Sequence, residues 1–379
     1  MAASDVVIVG GGVIGLSIAY ALAREGVRAT VLDRRELGRE ASWAGAGMIP
    51  ANTQRLAIHP TVELRSWSAV LYPEWSAALK RETGLDNGYR RTGGVDVAFT
   101  AEEERDLRSA AGRWRIEGIV SERLDPGDFD RVEPALSREL RVAYFLPDRA
   151  QIRNPRHLQA LIAAVVQRGG ALRPNEAVRG FEAEAGRVTA VLTESGRWPC
   201  GCAVVAAGAW TGGLLEGLHV HAPTPPLKGQ IVLLRGDRPL LRRIIEHVKR
   251  YLVPRDDGRI LVGATEEDAG FDTRTTSVGV RDLLDEALRL CPVLAGAEVE
   301  RAWAGLRPGS VDTKPYLGFV PGYHNLILAT GHKRAGLQLA PATAEVIADL
   351  VLKRPPRIDL TSFRVDREPD PRADEAFRS

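Results

Sequence analysis

The feature that most constrains the fold lies near the N-terminus, where a short apolar run leads directly into a glycine-rich turn. Residues 5–10 predict a buried strand, and residues 13–24 show helical spacing of their large apolar side chains. The sequence GGGVIG at 10–15 stands between them and has the form G-x-G-x-x-G. Residues 28–32 predict a second strand that ends in Asp33. Together these segments predict a β-α-β unit.

The three spaced glycines of this turn fit the binding of a dinucleotide. Gly10 permits the tight turn, Gly12 lets the backbone approach a pyrophosphate, and Gly15 allows the helix to pack closely on the strand. The pyrophosphate then lies on unpaired N–H groups at the positive end of the helix. Asp33 stands where an acid can bind ribose hydroxyls. NAD and FAD share this pattern, and Arg34 also fits the phosphate of NADP.

Two further segments favour FAD among these dinucleotides. Residues 39–48 are rich in small side chains, which let backbone N–H groups crowd an anion or a flat ring, and Ser42 can donate a hydrogen bond to phosphate. Taken alone, that segment is equally typical of a flexible loop. Residues 326–332 predict a strand, a glycine turn and a helix start, which can aim a second helix N-terminus at the far end of an extended flavin cofactor. Residues 204–208 repeat the strand-to-glycine pattern.

Composition narrows the class of protein. The 51 basic residues nearly balance the 49 acidic ones, so nucleic acid is not an expected partner. Residues 6–22 are apolar, but glycines interrupt them and no Lys or Arg precedes them, so a buried strand and helix are favoured over a signal peptide. No other stretch approaches the length of a membrane span, and no membrane association is expected.

The cysteines and histidines point to neither disulfides nor a metal. Cys200, Cys202 and Cys291 are interpreted as unpaired thiols in a reducing compartment, the cytoplasm. His219 and His221 lack a convincing carboxylate partner nearby in sequence, so no metal site is predicted. A further histidine, His157, begins a predicted helix and is expected at the surface or as a capping residue.

Along the chain, strand and helix patterns alternate at both ends and antiparallel-looking strands lie between them. The pattern predicts an α/β (α+β mixed) fold: a Rossmann-type FAD-binding domain with an inserted mixed or antiparallel-sheet substrate domain. The discontinuous FAD-binding domain is assigned to residues 1–50, 151–215 and 305–365. The substrate domain is assigned to residues 51–150 and 216–304, and residues 366–379 to a tail. The chain after Arg354 is expected to pack poorly.

Three side chains are candidates for contact with a substrate. Arg307, between a strand-like run and a turn, could hold a carboxylate through two parallel hydrogen bonds, although a surface arginine is the more common interpretation. Tyr251 alternates with apolar neighbours, which is also typical of a core tyrosine. Arg334 follows the glycine turn near the C-terminus and could equally be a solvated basic residue.

Several sequence blocks, in order along the chain, carry a family resemblance. They are PLKGQ at 226–230, YLVPR at 251–255, LVGAT at 261–265, WAGLRPG at 303–309, KPYLG at 314–318, GHKRAGL at 331–337 and LAPAT at 339–343. With these blocks the chain resembles the glycine oxidases of thiamine biosynthesis, within the D-amino-acid oxidase superfamily of FAD proteins. The resemblance covers residues 6 to about 365.

The resemblance implies roles for the residues singled out above. Arg307 should bind the substrate carboxylate, Tyr251 should bind the same group or frame the pocket, and Arg334 should lie beside them near the isoalloxazine. Monomeric sarcosine oxidases anchor flavin to a cysteine in the stretch after Arg307, where this chain has none, so FAD should be non-covalent. FAD contacts are expected from Val13, Ile14, Asp33, Arg34, Ala41, Ser42, Ala46, Gly47, Met48, Val178, His332, Lys333, Arg334, Ala335, Gly336, Leu337 and Gln338.

The implied activity is oxidation of glycine and other small amines, such as sarcosine and small D-amino acids, with O₂ reduced to H₂O₂. A homotetramer and a thiazole synthase partner are implied as well. The chain departs from the family at Lys249, where relatives carry histidine, at Glu266, where they carry an apolar residue, and at the bulky Trp43. Three alternatives stay open: a dehydrogenase using a quinone or protein acceptor, a cofactor-binding subunit of a multi-subunit amine oxidase, and an NAD-dependent enzyme.

Overall fold

The structure is a computed structural model that describes residues 4–51 and 60–369. The strands are β1 (Ser4–Val9), β2 (Ala29–Leu32), β3 (Met48–Ile49), β4 (Gly94–Ala98), β5 (Glu122–Leu124), β6 (Val142–Leu146), β7 (Ala150–Gln151), β8 (Ala171–Arg173), β9 (Val178–Glu184), β10 (Arg187–Thr193), β11 (Gly196–Val205), β12 (Pro226–Arg235), β13 (Ile244–His247), β14 (Arg250–Pro254), β15 (Arg259–Gly263), β16 (Glu298–Pro308), β17 (Tyr316–Phe319) and β18 (Leu326–Thr330). The α-helices are α1 (Val13–Arg24), α2 (Ala41–Ala44), α3 (Pro60–Thr83), α4 (Ala101–Glu117), α5 (Phe129–Val132), α6 (Asn154–Gln167), α7 (Thr211–Leu215), α8 (Ser277–Leu290) and α9 (Gly336–Val351).

The first sheet contains the N-terminal strand and has the order β17-β18-β11-β1-β2-β8. Strands β18, β11, β1, β2 and β8 run parallel, and β17 pairs antiparallel with β18 at the edge. Strands β9 and β10 extend the start of β11 as an antiparallel meander. This is the predicted Rossmann-type unit, and the predicted mixed α/β architecture is confirmed.

Strand β1 is buried on both faces. Val6 and Ile8 belong to the core formed with helices α1, α6 and α9, whereas Val7 and Val9 belong to a second core shared with β10 and β11. Successive strand side chains point to opposite faces, so a strand covered on both sides must be apolar throughout. This explains why the segment has a continuous apolar run rather than an alternating pattern.

The second sheet has the order β16-β12-β15-β14-β13-β4-β6-β5. Its neighbouring strands are antiparallel except for β13 and β4, which are parallel. Helix α8 covers one face, where Leu283 and Ala287 pack in a core with Val232, Leu252 and Val262. The strands come from two separate chain segments, residues 94–146 and 226–308.

Helix α3 departs from the predicted division of the chain. The division placed its residues in the substrate segment, yet Leu64, Trp75 and Leu79 lie in the core of the first sheet with helices α1 and α9. The apolar face of a helix shows in the sequence that the helix is buried, but it does not show which sheet the helix packs against. No helix within residues 4–51 or 60–369 combines the length and apolarity needed to cross a bilayer.

Two expectations about packing were wrong. The segment after Arg354 packs on the first domain, since Ile358 and Phe363 are buried in its core; residues 370–379 of the predicted tail lie outside the described residues. His157 is buried in α6 rather than exposed or capping, and burial lowers its pKa to about 3. In both places burial depends on contacts with residues distant in sequence, such as Asn87 and Tyr72 for His157, which the local pattern does not show.

Candidate active site

A cavity of about 1090 Å³ is lined by residues from both sheets. Strands β1, β2 and β18 end at it, so it lies at the carboxyl edge of the parallel strands, where open α/β sheets bind ligands. The predicted residues that line it are Gly10, Gly12, Val13, Ile14, Asp33, Arg34, Ala41, Ser42, Ala46, Gly47, Met48, Val178, Tyr251, Arg307, His332, Lys333, Arg334, Ala335, Gly336, Leu337 and Gln338. Gly15 is outside this lining and lies beneath the turn.

The turn between β1 and α1 has no room for side chains. Gly10 has a φ of +108°, and a Cβ built there would stand 2.7 Å from the carbonyl carbon of Ala206. A Cβ on Gly15 would overlap the carbonyl oxygen of Gly10. Gly12, the residue before the helix, supplies no side-chain cap to it. The result is an open helix N-terminus of the kind that binds phosphate groups.

Asp33 and Ser42 hold the shape of this cradle. The Asp33 carboxylate accepts hydrogen bonds from the backbone N–H of Gly11 at 2.7 Å and of Arg35 at 2.9 Å. Burial raises its pKa, although the two N–H groups act in the opposite direction. The Ser42 hydroxyl accepts from the N–H of Val13 at 2.9 Å, which leaves its own proton free to donate to a ligand.

Arg34 contacts Trp210, a cavity residue that the sequence analysis did not identify. Its guanidinium lies over the ring of Trp210, 3.5 Å from the ring centroid, and Nη2 donates to Glu40 at 2.7 Å. Trp210 lines the cavity and follows the strand-to-glycine pattern at 204–208. That pattern was the available signal, since residues just after a parallel strand lie at the ligand-binding edge.

The small-residue segment after β2 is an ordered part of the cavity wall. Arg255, buried and not singled out by the sequence, donates to the carbonyl of Ala46 at 2.7 Å and to that of Ile152 at 3.2 Å. Trp43 packs against Trp303 with ring centroids 5.2 Å apart. The side chain of Trp43 therefore lies outside the cavity lining, and its bulk does not reduce the cavity.

Arg307 and Tyr251 meet on the second sheet. The Arg307 guanidinium lies over Gly229, where a Cβ would stand 2.5 Å from Cζ, and Nη1 donates to the carbonyl of Thr265 at 3.1 Å. The Tyr251 ring lies against Gly263, where a Cβ would stand 2.5 Å from the phenol oxygen. Burial lowers the pKa of Arg307, and the neighbouring Tyr251 partly offsets this. Burial also raises the pKa of Tyr251.

Arg334 and Glu266 form an ion pair at the same end of the cavity. Arg334 Nε donates to Glu266 Oε2 at 2.9 Å, and Nη2 donates to the same oxygen. Lys249 also lines the cavity from the turn after β13, and its side chain is exposed. Two of the three residues at which this chain departs from the resembling family, Glu266 and Lys249, therefore line the same cavity as the substrate candidates.

A buried charge cluster lines another part of the cavity and was not foreseen. Arg149 donates to both carboxylate oxygens of Asp96 and lies 2.8 Å from a carboxylate oxygen of Glu246. Burial raises the pKa of Glu246, and the positive charge of Arg149 opposes that rise. The three residues lie on or beside β4, β7 and β13, too far apart in sequence for a local pattern.

His332 is buried in the protein interior beside helix α9. Its Nε2 lies 3.2 Å from the Thr343 hydroxyl, and burial lowers its pKa to about 3, so it is neutral near pH 7. In the described part of the chain, no three His, Cys, Asp or Glu side chains are grouped to hold a metal ion. Cys200, Cys202 and Cys291 are unpaired, and none lines the cavity.

The residues present fit FAD. One part of the cavity is a cradle in which glycine is required at Gly10, beside a helix N-terminus whose preceding residue, Gly12, has no side chain. The same cavity is lined by the small-residue segment and by Arg307 and Tyr251, so a dinucleotide bound at the cradle would share it with the substrate candidates.

Comparisons with known proteins agree with this geometry. The chain is 38% identical to a glycine oxidase of Pseudomonas putida over 94% of this chain and 96% of that protein. It is 36% identical to the bifunctional protein ThiO/ThiG of Synechocystis, over 92% of this chain and 52% of that protein. The crystal structure of glycine oxidase from Geobacillus kaustophilus superimposes with a TM-score of 0.92 at 33% identity, covering 97% of this chain and 99% of that one.

The family model described as DAO, FAD dependent oxidoreductase, matches residues 5–350, which include the cradle, both sheets and all three substrate candidates. The match and the geometry agree on the cofactor and on the fold. This chain belongs to the DAO family of FAD-dependent oxidoreductases.

Proposed function

We propose that the protein oxidises glycine and other small amines, including sarcosine and small D-amino acids, with O₂ as the electron acceptor. The observation that carries this is the placement of Arg307 and Tyr251 at one end of a cavity whose other end is a dinucleotide cradle. The relatives named above as oxidases favour O₂ over a quinone or protein acceptor.

Arg307 is the group that would hold the substrate carboxylate. Its guanidinium is partly buried, and a hydrogen bond to the carbonyl of Thr265 holds it in place. The orientation of its remaining N–H donors is therefore set before a substrate binds. Among the described residues no carboxylate forms an ion pair with it, which leaves the charge available to a ligand. Positioning of this kind supplies much of the rate in a reaction whose chemistry belongs to a cofactor.

Tyr251 would add a second hydrogen bond to the same carboxylate. Because burial raises its pKa, the phenol stays protonated near pH 7 and acts as a donor, not as a base. No protein base is required when the amine arrives neutral. The chemistry that FAD supplies when bound is acceptance of a hydride from the substrate α-carbon, followed by transfer of the electrons to O₂. The imine that results hydrolyses to the 2-oxo acid or passes onward.

FAD would be held without a covalent bond by the turn at Gly10, Gly12 and Gly15 and by Asp33, Ser42 and the other cradle residues. The absence of cysteine from the cavity lining supports this. Three further proposals accompany it: a homotetramer, a thiazole synthase partner that takes the glycine imine, and a cytoplasmic location. The bifunctional Synechocystis relative supports the partner, and the free thiols support the location.

The test is the visible spectrum of the purified protein, recorded without oxygen before and after glycine is added. A yellow flavin band that bleaches with glycine, and returns with one peroxide per turnover when air is admitted, is the expected result. A flavin band that glycine leaves unchanged contradicts glycine as substrate. Bleaching with no peroxide on aeration contradicts O₂ as acceptor.

A further inference from the structure

We propose that Glu266 restricts this site to substrates with a single carboxylate, because it occupies Arg334, which could otherwise bind a second one. The inference rests on the proposed function, since it concerns the choice among amines that Arg307 can hold. It makes Glu266 a specificity-determining residue rather than a catalytic one.

Arg307 and Arg334, the two arginines among the substrate candidates, differ in their contacts. Arg334 directs both Nε and Nη2 to Glu266 Oε2, so its best pair of donors is already used. Arg307 donates instead to the backbone carbonyl of Thr265, and among the described residues it has no carboxylate within ion-pair distance. One guanidinium is therefore open to a substrate carboxylate, and the other is neutralised.

The charge on Glu266 is secure near pH 7. Partial burial raises its pKa, but the hydrogen bond and charge of Arg334 and the charges of Lys333 and Arg307 outweigh this, and the pKa lies below its usual range. Since the charge of Arg307 contributes to this lowering of the pKa, Glu266 lies within electrostatic reach of Arg307. A second substrate carboxylate close to the first would meet an ionised carboxylate.

The alternative arrangement shows what Glu266 changes. With a neutral side chain at 266, Arg307 and Arg334 would present two unpaired guanidinium groups to one cavity, a pattern suited to a dicarboxylate. With Glu266 present, a dicarboxylate must break the Arg334 pair and also bring two like charges together. Specificity of this kind comes from a repulsive group set against the wrong ligand.

Lys249 does not restore a second anion site of equal strength. It lines the cavity, but its side chain is exposed, and among the described residues it forms no ion pair with Glu266. Its ammonium is a point charge on a flexible stem, whereas the planar guanidinium of Arg334 can hold a carboxylate through two parallel hydrogen bonds. We therefore expect Arg334, not Lys249, to respond when Glu266 is changed.

The experiment compares two ligands that differ by one carboxylate and cannot be oxidised as amines. Methoxyacetate is the ether analogue of sarcosine, and diglycolate is the ether analogue of iminodiacetate. The dissociation constant of each is measured from the shift that it causes in the flavin spectrum of the holoenzyme, for the wild type and for Glu266→Gln. The kcat/KM ratio of sarcosine to iminodiacetate is a second readout.

The wild type should bind methoxyacetate at least tenfold more tightly than diglycolate. Glu266→Gln should move the ratio at least tenfold towards diglycolate, which corresponds to about 1.4 kcal/mol. Adding Arg334→Met to Glu266→Gln should remove that gain. The matched control is Asp268→Asn, which removes one exposed negative charge from the same loop outside the cavity lining and should leave the ratio unchanged.

A ratio that moves less than twofold in Glu266→Gln overturns the proposal, as does a wild type that binds both ligands equally. An equal shift in Asp268→Asn would mean that general charge, not the Arg334 pair, is responsible. Failure here is distinct from failure of the proposed function, because the ligand titration needs bound flavin but no turnover. If Glu266→Gln loses FAD, Glu266→Met replaces it in the same titration.

Discussion

The two ends of the cavity differ in whether main-chain or side-chain atoms form them. The cofactor end is made mainly of backbone: Gly10 and Gly15 leave no space for a side chain, and the residue before helix α1 is Gly12. The substrate end is made of charged and phenolic side chains, Arg307, Tyr251 and Arg334, carried by three distant segments. A backbone site tolerates few changes, because almost any added atom collides with another main chain.

The substrate end has the opposite property. Its side chains extend into the cavity from elements that are already packed, so a replacement alters the charge of the pocket without moving the sheet. Lys249 and Glu266, the two departures from the resembling family near the substrate candidates, both lie at this end. We infer that variation in this fold is tolerated where side chains, and not the main chain, form the site.

The largest expected effect comes from Gly10→Ala at the cofactor end. The new Cβ would collide with the main chain at Ala206, and the φ of +108° is unfavourable for alanine. We expect purification of a colourless protein, measured as loss of the flavin absorbance relative to that at 280 nm.

The matched control for that change is Gly26→Ala, just after α1. Gly26 also has a positive φ, +77°, but a Cβ there meets nothing within 4 Å. This variant should stay yellow and lose only ~1 kcal/mol of stability. Loss of flavin in both variants would show that backbone strain, not the collision, removes the cofactor.

Arg307→Ala should have the next largest effect, at the substrate end. Removing the guanidinium leaves the substrate carboxylate without its charged partner, so kcat/KM for glycine should fall roughly 100-fold or more, about 3 kcal/mol. The flavin content should not change. Arg301→Ala, an exposed arginine on the same strand, is the control and should behave as wild type. Unchanged turnover in Arg307→Ala would remove the assignment.

Gly229→Ala tests whether a residue without a side chain is required beneath Arg307, as it is at Gly10 of the cofactor end. The added Cβ would stand 2.5 Å from Arg307 Cζ and push the guanidinium aside without changing any charge. We expect KM for glycine to rise about tenfold while the flavin stays bound, because displacing a packed group costs ~1–3 kcal/mol. Gly180→Ala in β9, where a Cβ meets nothing within 4 Å, should leave KM as it is. A normal KM in Gly229→Ala would mean that Arg307 readily relocates.

The smallest effect concerns His247, which joins the substrate sheet to two helices. Its Nδ1 is bound to Glu286 of α8, and its Nε2 lies 3.3 Å from Glu103 of α4. Burial lowers the pKa of His247, but the hydrogen bonds and charges of Glu286 and Glu103 outweigh this and raise it. A raised pKa gives stability that is complete below the unfolded value of ~6.5 and is lost as the pH rises through the folded value.

The stability that His247 adds should therefore decrease from pH 6 to pH 9, by on the order of 1 kcal/mol. It is measured as the difference in thermal unfolding between the wild type and His247→Gln at each pH, because the buried neutral His157 and His332 add stability that changes with pH in the opposite direction and is common to both proteins. A difference that stays constant or grows with pH would contradict the ion-pair assignment.

Several elements were predictable because their signals are local. The strand, glycine turn and helix at the N-terminus, and helices α8 and α9, follow from the spacing of apolar side chains. Strands β6 and β13 were not foreseen. Each is short, and its identity depends on pairing with β4, which the sequence around it does not reveal. The buried segment around Ile358 and Phe363 was also missed, because its burial depends on contacts with residues far away in the sequence.

The sequence alone determined the dinucleotide unit, since its strand, glycine turn and helix follow one another directly along the chain. It also supplied Arg307, Tyr251 and Arg334 as candidates through family resemblance, but not their surroundings. Only the tertiary structure decided that Arg334 is paired with Glu266, and that Gly229 makes room for Arg307. These contacts join residues from separate strands and loops, so their geometry depends on how the two sheets are folded around the cavity.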